Sequence, residues 1–340
     1  MTNVLNTLFV TTEGASVRLE GTSLRIVVEK ETKAQVPLHH LSSIVCFPRV
    51  WMSPDAMAAS AEAGATVVFL DWSGRYLARV EGRQARSAAL RRLQYRAADD
   101  AERTLALARG FVAGKVANSR TVLRRVGRSR VNSETKAELE KASKRLTHLL
   151  ELMLQAESLD VLRGYEGEAA SRFFDLFERV LAETGFGFEK RTRRPPRDPV
   201  NAMLSMGYGL LATDCQSAAQ AAGLDPAVGF LHAERPGRPS LALDLMEELR
   251  PVVVDRLVLS TLRLGQFKQA DFETLASGEC RFKENARRRF VVEYQERKKD
   301  LIGHPLAAES ISYAMVPLVQ ARLLARAVRG EVEYVPFLLK

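Results

Sequence analysis

The feature that most constrains the fold is an abrupt change of pattern near residue 85. Before it, the chain consists of short runs of β-branched or alternating apolar residues separated by turn-forming residues, which is typical of strands. One segment there, at residues 53–64, predicts a helix, with Ser53 as N-cap, Pro54 at the first helical position and Gly64 at the end. After the change, long stretches rich in Ala, Leu, Arg and Glu predict helices. We therefore predict an α+β protein, with a small mostly-β domain at residues 1–85 and a larger all-α domain at residues 86–340.

Several classes of protein are disfavoured by the sequence. The N-terminal residues have no basic segment and no cleavage site of a secretory signal, and no apolar run is long enough to span a membrane. We therefore expect a cytoplasmic protein with no membrane partner. The three cysteines, Cys46, Cys215 and Cys280, lie far apart. This spacing argues against a disulfide framework or a zinc site, and we expect three small core residues.

Basic residues exceed acidic ones by 50 to 41, and the excess is concentrated in three segments. Residues 109–133, which include Lys115, contain no acid, and residues 187–197 and 281–299 are also rich in arginine. For any one segment a solvated surface is the simpler interpretation. Three together favour contacts to nucleic-acid phosphates, which depend little on base sequence. The candidate DNA-contacting residues in the last two segments are Lys190, Arg191, Arg193, Arg194, Arg197, Arg287 and Arg288.

An acid on an apolar helix face is the first candidate for chemistry. Residues 160–177 predict a helix in which Glu166 shares a face with Leu162, Ala170 and Phe173. A carboxylate in such a position must be paired, hydrogen-bonded or bound to a metal ion. The pattern leaves two interpretations open: a metal ligand, or a buried salt bridge, for example with Arg163. The nearby Glu168 falls on another face, where it can pair with Arg172 in the next turn.

The second candidate lies at residues 229–251. His232 ends an apolar run, and Ser240 can cap a helix in which Asp244 and Glu247 are neighbours on one face. Two carboxylates at that spacing repel each other unless a cation lies between them. Carboxylates with one imidazole suit Mg²⁺ or Mn²⁺ better than zinc. The pattern alone equally allows an acidic surface helix beside a lone turn histidine.

Four segments together resemble one family, the CRISPR-associated adaptation integrases, written here as the Cas-one family. GYEGEAASRFF resembles its EG-x-A-A segment, and GFLHAERPGRPSLALDLMEELRP resembles its GFLH…S-L-x-x-D segment. NAMLSMGYGLL is similar to its Asn-x-x-Leu-x-x-Gly-Tyr helix, and QARLLARAVRGEVEYVPF to its closing segment. The four occur in the family's order and, together with an N-terminal β region of about the right length, cover essentially the whole chain. The wording of the motifs is closest to the type I-C branch.

The resemblance implies roles for individual residues. Glu166, His232 and Glu247 match the family's metal ligands for Mg²⁺ or Mn²⁺, with Glu247 standing where many relatives carry Asp. Asp244 matches a neighbouring acid that supports the ligands, and Arg250 a basic position facing the DNA backbone. Two further residues, on the Asn-x-x-Leu helix beside the site, are Asn201 and Tyr208.

The resemblance also implies a reaction and partners. The reaction is insertion of short DNA fragments into a CRISPR array by attack of a 3′-hydroxyl on a phosphodiester, with water as nucleophile in the nuclease mode. The partners are double-stranded DNA fragments, CRISPR repeat DNA, a second copy bound through the N-terminal domain, and a small protein, Cas-two, that bridges two dimers.

Three other functions remain to be distinguished. A metal-dependent nuclease that trims branched nucleic acid without integration would use the same ligands. A non-catalytic DNA-binding protein would keep the acids as structural residues. A tyrosine recombinase would use Tyr208 or Tyr294 as nucleophile, although apolar neighbours favour core packing for Tyr208.

Overall fold

The computed structural model describes residues 6–72, 74, 76–80, 88–128, 131–304 and 310–339. It divides into two compact units, residues 1–86 and residues 87–340. The boundary expected between residues 85 and 86 lies outside the described residues. The predicted fold class, a strand-rich N-terminal region followed by a larger helical region, is confirmed.

The first unit contains two four-stranded sheets. One has the order β1-β5-β7-β8, in which the first three strands are parallel and β8 is antiparallel to β7. The other has the order β4-β3-β2-β6, with antiparallel neighbours except that β6 runs parallel to β2. The elements are β1 Asn6–Val10, β2 Ser16–Glu20, β3 Ser23–Val28, β4 Glu31–Pro37, β5 Leu41–Cys46, β6 Trp51–Met52, α1 Pro54–Glu62, β7 Thr66–Leu70 and β8 Tyr76–Val80.

A single hydrophobic cluster joins the two sheets and α1. It includes Val17 and Leu24 from one sheet and Ile44 and Val67 from the other, all completely buried. The predicted start of α1 is confirmed, since the Ser53 hydroxyl accepts a hydrogen bond from the Ala56 N–H at 3.3 Å. Alternation of buried and exposed residues in the sequence thus places one face of each sheet on a common core.

The second unit is built from helices that pack around α6. Fourteen of the 23 residues of α6, Pro199–Ala221, are buried, and the helix contacts α7 and α10. The long helix α3 packs against α4, α5 and α7. The helices are α2 Ala88–Asp99, α3 Ala101–Gly127, α4 Ser133–Leu154, α5 Leu159–Leu181, α6 Pro199–Ala221, α7 Ser240–Glu247, α8 Arg256–Arg263, α9 Glu284–Lys299 and α10 Val316–Val328.

Two departures from regular α-helix occur in this unit. Arg250–Asp255, between α7 and α8, winds as a π-helix, a rare form that is frequent at functional sites. Two short antiparallel ladders pair β9 Phe272–Thr274 with β10 Cys280–Phe282, and β11 Leu301–Ile302 with β12 Ile311–Ser312. The expectation that the second domain is entirely helical therefore misses these strands, which are too short to show a period-2 pattern.

The three cysteines lie where the sequence predicts them. Cys46, Cys215 and Cys280 are buried free thiols, as predicted for core residues. In the described part of the chain, no helix is both long and apolar enough to cross a membrane.

Candidate active site

Glu166 lies in the middle of α5, with its carboxylate at the edge of the core. Leu162 and Phe173 on the same side of the helix are buried, whereas the Glu166 side chain keeps 27% of its exposure. Arg163, the partner suggested by the sequence, instead binds Asp160 and the carbonyl of Leu231. Glu166 is therefore ion-paired in this structure, but with a different cation.

That cation is Lys115 of α3, which the sequence pattern groups only with the basic segments. Its ammonium group lies between two carboxylates, contacting Glu166 and lying 2.7 Å from Oε2 of Glu247. Burial alone would lower the pKa of Lys115, but the charges of Glu247 and Glu166 outweigh burial, and the pKa is raised. Lys115 is thus a charged ammonium that joins α3 to α5 and α7.

A glycine allows α3 to come this close to the end of α7. A Cβ on Gly114 would lie 2.8 Å from the side chain of Pro336 and 3.0 Å from that of Glu248. Contacts this short are not sustained by real side chains. The bare backbone at Gly114 therefore lets the next residue, Lys115, reach Glu247.

Glu247 ends α7 and is held as a buried anion. Its side chain is 6% exposed, and the Arg250 Nε donates to its Oε1 at 3.1 Å. Burial would raise the pKa of Glu247, but the charges of Arg250, Lys115 and His232 lower it to about 2. The carboxylate is therefore ionised at neutral pH.

Asp244 fixes His232 in position. The Asp244 side chain is completely buried and accepts hydrogen bonds from the backbone N–H groups of Phe230, Leu231 and His232 at 2.6, 3.0 and 3.0 Å. It also lies 2.7 Å from Nδ1 of His232. Since a carboxylate can only accept, Nδ1 carries a proton, and when the ring is in its neutral form the lone pair of Nε2 is free. That Nε2 is 3.7 Å from Oε1 of Glu247, so the imidazole and the carboxylate face each other.

Two expectations for α7 change in detail. Ser240 is not an N-cap: it is the first residue of the helix, and its hydroxyl donates to the carbonyl of Ala233 at 3.0 Å. Asp244 and Glu247 also need no shared cation. Hydrogen bonds from the N–H groups around His232 stabilise the charge of Asp244, while the cations Lys115 and Arg250 compensate the charge of Glu247.

A layer of aromatic and basic side chains lies behind Glu247. The Tyr208 hydroxyl donates to Asp255 of the π-helix, and the Arg250 and Arg191 guanidiniums lie 4.7 and 5.4 Å from the Tyr208 ring centroid. Burial raises the pKa of Asp255 to about 7. Arg250, predicted to face the DNA backbone, contacts Glu247 and this ring.

Asn201 holds the loop before α6 in place through hydrogen bonds of its side chain. Its carbonyl oxygen accepts from Arg191 at 2.7 Å and from the Thr192 N–H at 2.9 Å, and its amide donates to the carbonyl of Lys190 at 2.8 Å. Asn201 thus holds Arg191 against Tyr208 and fixes the loop that follows.

The remaining candidates for DNA contact differ in their exposure to solvent. Lys190, Arg193, Arg194 and Arg197 are exposed on the loop before α6. Arg288 is partly exposed and pairs with Glu284 at 2.5 Å. Arg287 is only 2% exposed, so its prediction as a DNA contact is wrong. A basic run on a helix such as α9 places some of its members inward, because the helix turns 100° per residue.

The donors at this site suit Mg²⁺ or Mn²⁺ in kind: two ionised or ionisable glutamates and one imidazole nitrogen with a free lone pair. Their present arrangement differs from a metal centre. Within the described residues, no three His, Cys, Asp or Glu side chains stand so that they could hold a metal ion. The Lys115 ammonium lies between the two glutamates instead.

Comparison with known proteins decides the family. The family model described as CRISPR associated protein Cas1 matches residues 8–296. A CRISPR-associated endonuclease Cas1 of Rhodospirillum rubrum is 45% identical over 342 residues, covering 99% of this chain and 98% of the relative. The chain belongs to the Cas1 family. A Cas1 endonuclease of Moorella thermoacetica is 41% identical over 340 residues, covering 99% of each chain.

Solved structures share the fold of this Cas1 protein. The Cas1 protein TM1797 of Thermotoga maritima superimposes with a TM-score of 0.83 at 22% identity, covering 97% of this chain and 99% of that one. A casposase bound to its integration product gives a TM-score of 0.83 at 24% identity, over 98% and 93% of the two chains. The predicted membership of the Cas1 family, whose matching relatives are named endonucleases, is confirmed.

Proposed function

We propose that this Cas1 protein is a metal-dependent DNA endonuclease and integrase that inserts short DNA fragments into a CRISPR array. The observation that carries the proposal is the convergence of His232, oriented by Asp244, with Glu247 and, through Lys115, with Glu166. These side chains come from three separate parts of the chain. A cluster of charged side chains at a partly exposed point is typical of a functional site rather than of a group that serves stability alone.

Glu166, His232 and Glu247 are proposed to hold Mg²⁺ or Mn²⁺. The bound ion would polarise the scissile phosphodiester and stabilise the charge on the departing oxygen. Asp244 keeps the Nδ1 proton in place, so that Nε2 stays available. Arg250 fixes the direction of the Glu247 carboxylate, and Tyr208 supports Arg250 from behind. The attacking group is the 3′-hydroxyl of a DNA fragment, or water in the nuclease mode.

The exposed arginines beside the site are proposed to bind DNA phosphates. Arg193, Arg194 and Arg197 lie on the loop that Asn201 fixes against the core, and Arg191 connects this loop to Tyr208. A DNA backbone bound along this loop would extend toward Glu247, because Arg191 and Arg250 both contact the ring of Tyr208. Phosphate contacts of this kind fix the position of the protein on the duplex and do not depend on the base sequence.

Further parts of the proposal concern partners and setting. We assign catalysis to residues 86–340 and dimerisation to residues 1–85. A small Cas2 partner bridging two dimers agrees with a solved assembly titled Cas6-RT-Cas1--Cas2 complex, in which one chain superimposes with a TM-score of 0.84 at 24% identity. This chain covers only 36% of that one. We also propose a cytoplasmic location, which suits an enzyme acting on DNA, and membership of the type I-C branch, which the wording of the four motifs supports.

Three alternatives make different predictions from integration. A trimming nuclease would cleave DNA with the same residues but would join no ends. A non-catalytic DNA-binding protein would need neither metal nor the glutamates. A tyrosine recombinase is disfavoured, because Tyr208, which is half-buried, donates to Asp255 and Tyr294, which is fully buried, donates to Asp214. Burial also raises the pKa of each phenol well above its ordinary value.

The test is a strand-transfer assay with a 3′-hydroxyl DNA fragment and a supercoiled plasmid that carries the repeat, together with Cas2. We expect Glu166→Gln, Glu247→Gln and His232→Ala each to abolish metal-dependent transfer while DNA binding persists. Glutamine keeps the shape of each glutamate side chain, and thermal unfolding of each variant shows whether a loss of activity reflects unfolding.

Glu168→Gln is the matched control. Glu168 follows Gly167 on the same helix as Glu166, pairs with Arg145 and Arg172, and is ionised because the Arg145 hydrogen bond helps lower its pKa to about 2. Loss of the Glu168 carboxylate should reduce strand transfer only slightly. Full transfer by Glu166→Gln would remove the proposed site, and cleavage without joining in the wild type would favour the trimming nuclease.

A further inference from the structure

The cluster around Glu247 is electrostatically balanced without any divalent ion. The carboxylates of Glu166 and Glu247 face two cations, Lys115 and Arg250, each within 3.1 Å of Glu247. Arg250 is fixed from behind by the Tyr208 ring, at 4.7 Å. Among the described residues, no aromatic ring supports Lys115 in this way, and its flexible aliphatic stem lets the ammonium move. Of the two cations, Lys115 is the one that can leave.

A divalent ion and the Lys115 ammonium would compete for the same pair of carboxylates. Lys115 contacts Oε1 of Glu166 and Oε2 of Glu247, so its ammonium lies between the two side chains that would hold a shared metal ion. Two cations a few ångströms apart in a partly buried site repel each other strongly. The ion can therefore bind both glutamates only if the ammonium moves away.

We propose that Lys115 is an internal counter-ion that keeps the ion site closed until a divalent ion displaces it. This inference rests on the proposed function, because it takes Glu166 and Glu247 as ligands. The glutamates stay paired and in place in the absence of the ion. Once the ion binds, the site carries excess positive charge, and the freed ammonium can add to it. The phosphodiester of DNA can neutralise this charge. Lys115 is in this sense a positioning residue for the ligands.

The experiment measures Mn²⁺ affinity of the DNA-free, full-length protein, from the free Mn²⁺ signal in electron paramagnetic resonance. Removing the competing ammonium in Lys115→Met should tighten Mn²⁺ binding by roughly tenfold or more. It should also make the metal-free protein less stable and enlarge the rise in unfolding temperature that Mn²⁺ causes. Lys115→Arg, which keeps the charge, should bind Mn²⁺ with about the wild-type affinity. A residue that only braces the site would give the opposite sign, since its removal would loosen the ligands and weaken binding.

Lys298→Met is the matched control. Lys298 is another nearly buried lysine, 6% exposed, with its ammonium 2.8 Å from Asp214 and outside the site. Its replacement should lower stability without changing Mn²⁺ affinity. Should Lys115→Met not fold, Lys115→Gln removes the charge with less apolar surface and carries the same expectation.

The outcomes separate the inference from the proposed function. Unchanged or weaker Mn²⁺ binding in Lys115→Met, beside normal binding in the wild type, overturns the counter-ion role and leaves the site standing. Equal Mn²⁺ binding by the wild type and Glu247→Gln, or none by either, overturns the proposed metal site itself, and the inference with it.

Discussion

Asp244 performs two tasks with one buried carboxylate. It closes the turn at residues 230–232 by accepting three backbone N–H groups, and it sets the tautomer of His232. Asp244→Asn keeps the size of the side chain but replaces one acceptor oxygen by a donor. We expect strand transfer to fall about 10- to 100-fold, as for other groups that orient a ligand. Stability should fall by about 1–3 kcal/mol, because buried N–H groups lose an acceptor.

Transfer rates and urea unfolding of Asp244→Asn measure both effects. Asp225→Asn is the control, since Asp225 accepts from Tyr95 and from the Ala227 N–H away from the site. It should leave transfer unchanged. Wild-type transfer by Asp244→Asn would show that His232 needs no fixed tautomer.

Sequence reasoning at this scale finds acids and histidines better than it finds their partners. The apolar neighbours of Glu166 indicate that its charge must be compensated, and Glu168 pairs with Arg172 as its spacing predicts. The cation that compensates Glu166 could not be identified, because Lys115 is on another helix and only the packing of α3 against α5 and α7 brings them together. The family resemblance supplies the proposed ligands but gives no indication of Lys115.

At the scale of elements, Gly114 controls the distance between α3 and the end of α7. Gly114→Ala would force Pro336 or Glu248 to shift, since the new Cβ would meet their side chains at 2.8 and 3.0 Å. We expect a loss of about 1–3 kcal/mol, typical of overpacking, and weaker transfer, because Lys115 and Glu247 move apart. Urea unfolding and the transfer assay measure the two effects.

Gly164→Ala is the matched helical control. Gly164 lies in α5 with nothing within 4 Å of its ideal Cβ. Alanine there should stabilise the protein by about 0.5–1 kcal/mol, because glycine is the poorer helix former. If both substitutions were equally well tolerated, the close approach of α3 would not matter.

Element prediction succeeds where the signal is local. The N-cap at Ser53 and the longer strands of the first unit depend on neighbouring residues, so they are visible in the sequence, whereas the two-residue strand β6 is not. The order of the strands in two sheets depends on pairing between distant segments, and no local pattern encodes it. Ser240 shows the same limit, since its hydroxyl binds the carbonyl of Ala233 rather than the start of its own helix.

At the scale of the molecule, the excess of basic charge should appear in the salt dependence of DNA binding. Replacing Arg193, Arg194 and Arg197 together by glutamine should weaken binding to unrelated DNA sequences about equally. The slope of log affinity against log salt should fall by roughly 0.9 for each phosphate that the protein no longer neutralises. Fluorescence anisotropy with labelled duplex at several salt concentrations measures it.

The control removes the same charge elsewhere, by replacing the exposed α4 residues Lys136, Lys141 and Lys144 with glutamine. Its slope should stay near that of the wild type. A slope unaffected by the arginine changes would mean that the loop before α6 is only solvated.

A buried acid couples the stability of the whole fold to pH. Burial raises the pKa of Glu248 from 4.5 to about 7, against the hydrogen bonds that it accepts from Tyr334, Gln320 and the Phe337 N–H. Below pH 4.5 the group is protonated in both states and costs nothing. As pH rises toward 7, the unfolded chain loses the proton first, so stability falls by up to about 3 kcal/mol.

Urea unfolding in metal-free buffer at about pH 5 and pH 8 should therefore show a less stable wild type at the higher pH. Glu248→Gln should lose less over the same range, with the remainder attributable to Asp255, whose pKa is also raised to about 7. An equal loss in both proteins would show that Glu248 does not titrate in this window.

The π-helix at residues 250–255 has a consequence for how the chain can vary. A π-turn holds one more residue than an α-turn, so it amounts to a single-residue insertion retained between α7 and α8. Deleting one residue there would restore an ordinary helix and rotate every later position of α8 by about 100° relative to α7. Arg250 and Asp255, which reach Tyr208 from the two ends of this turn, could no longer do so together. The chain is therefore expected to accept substitutions in this turn more readily than any change in its length.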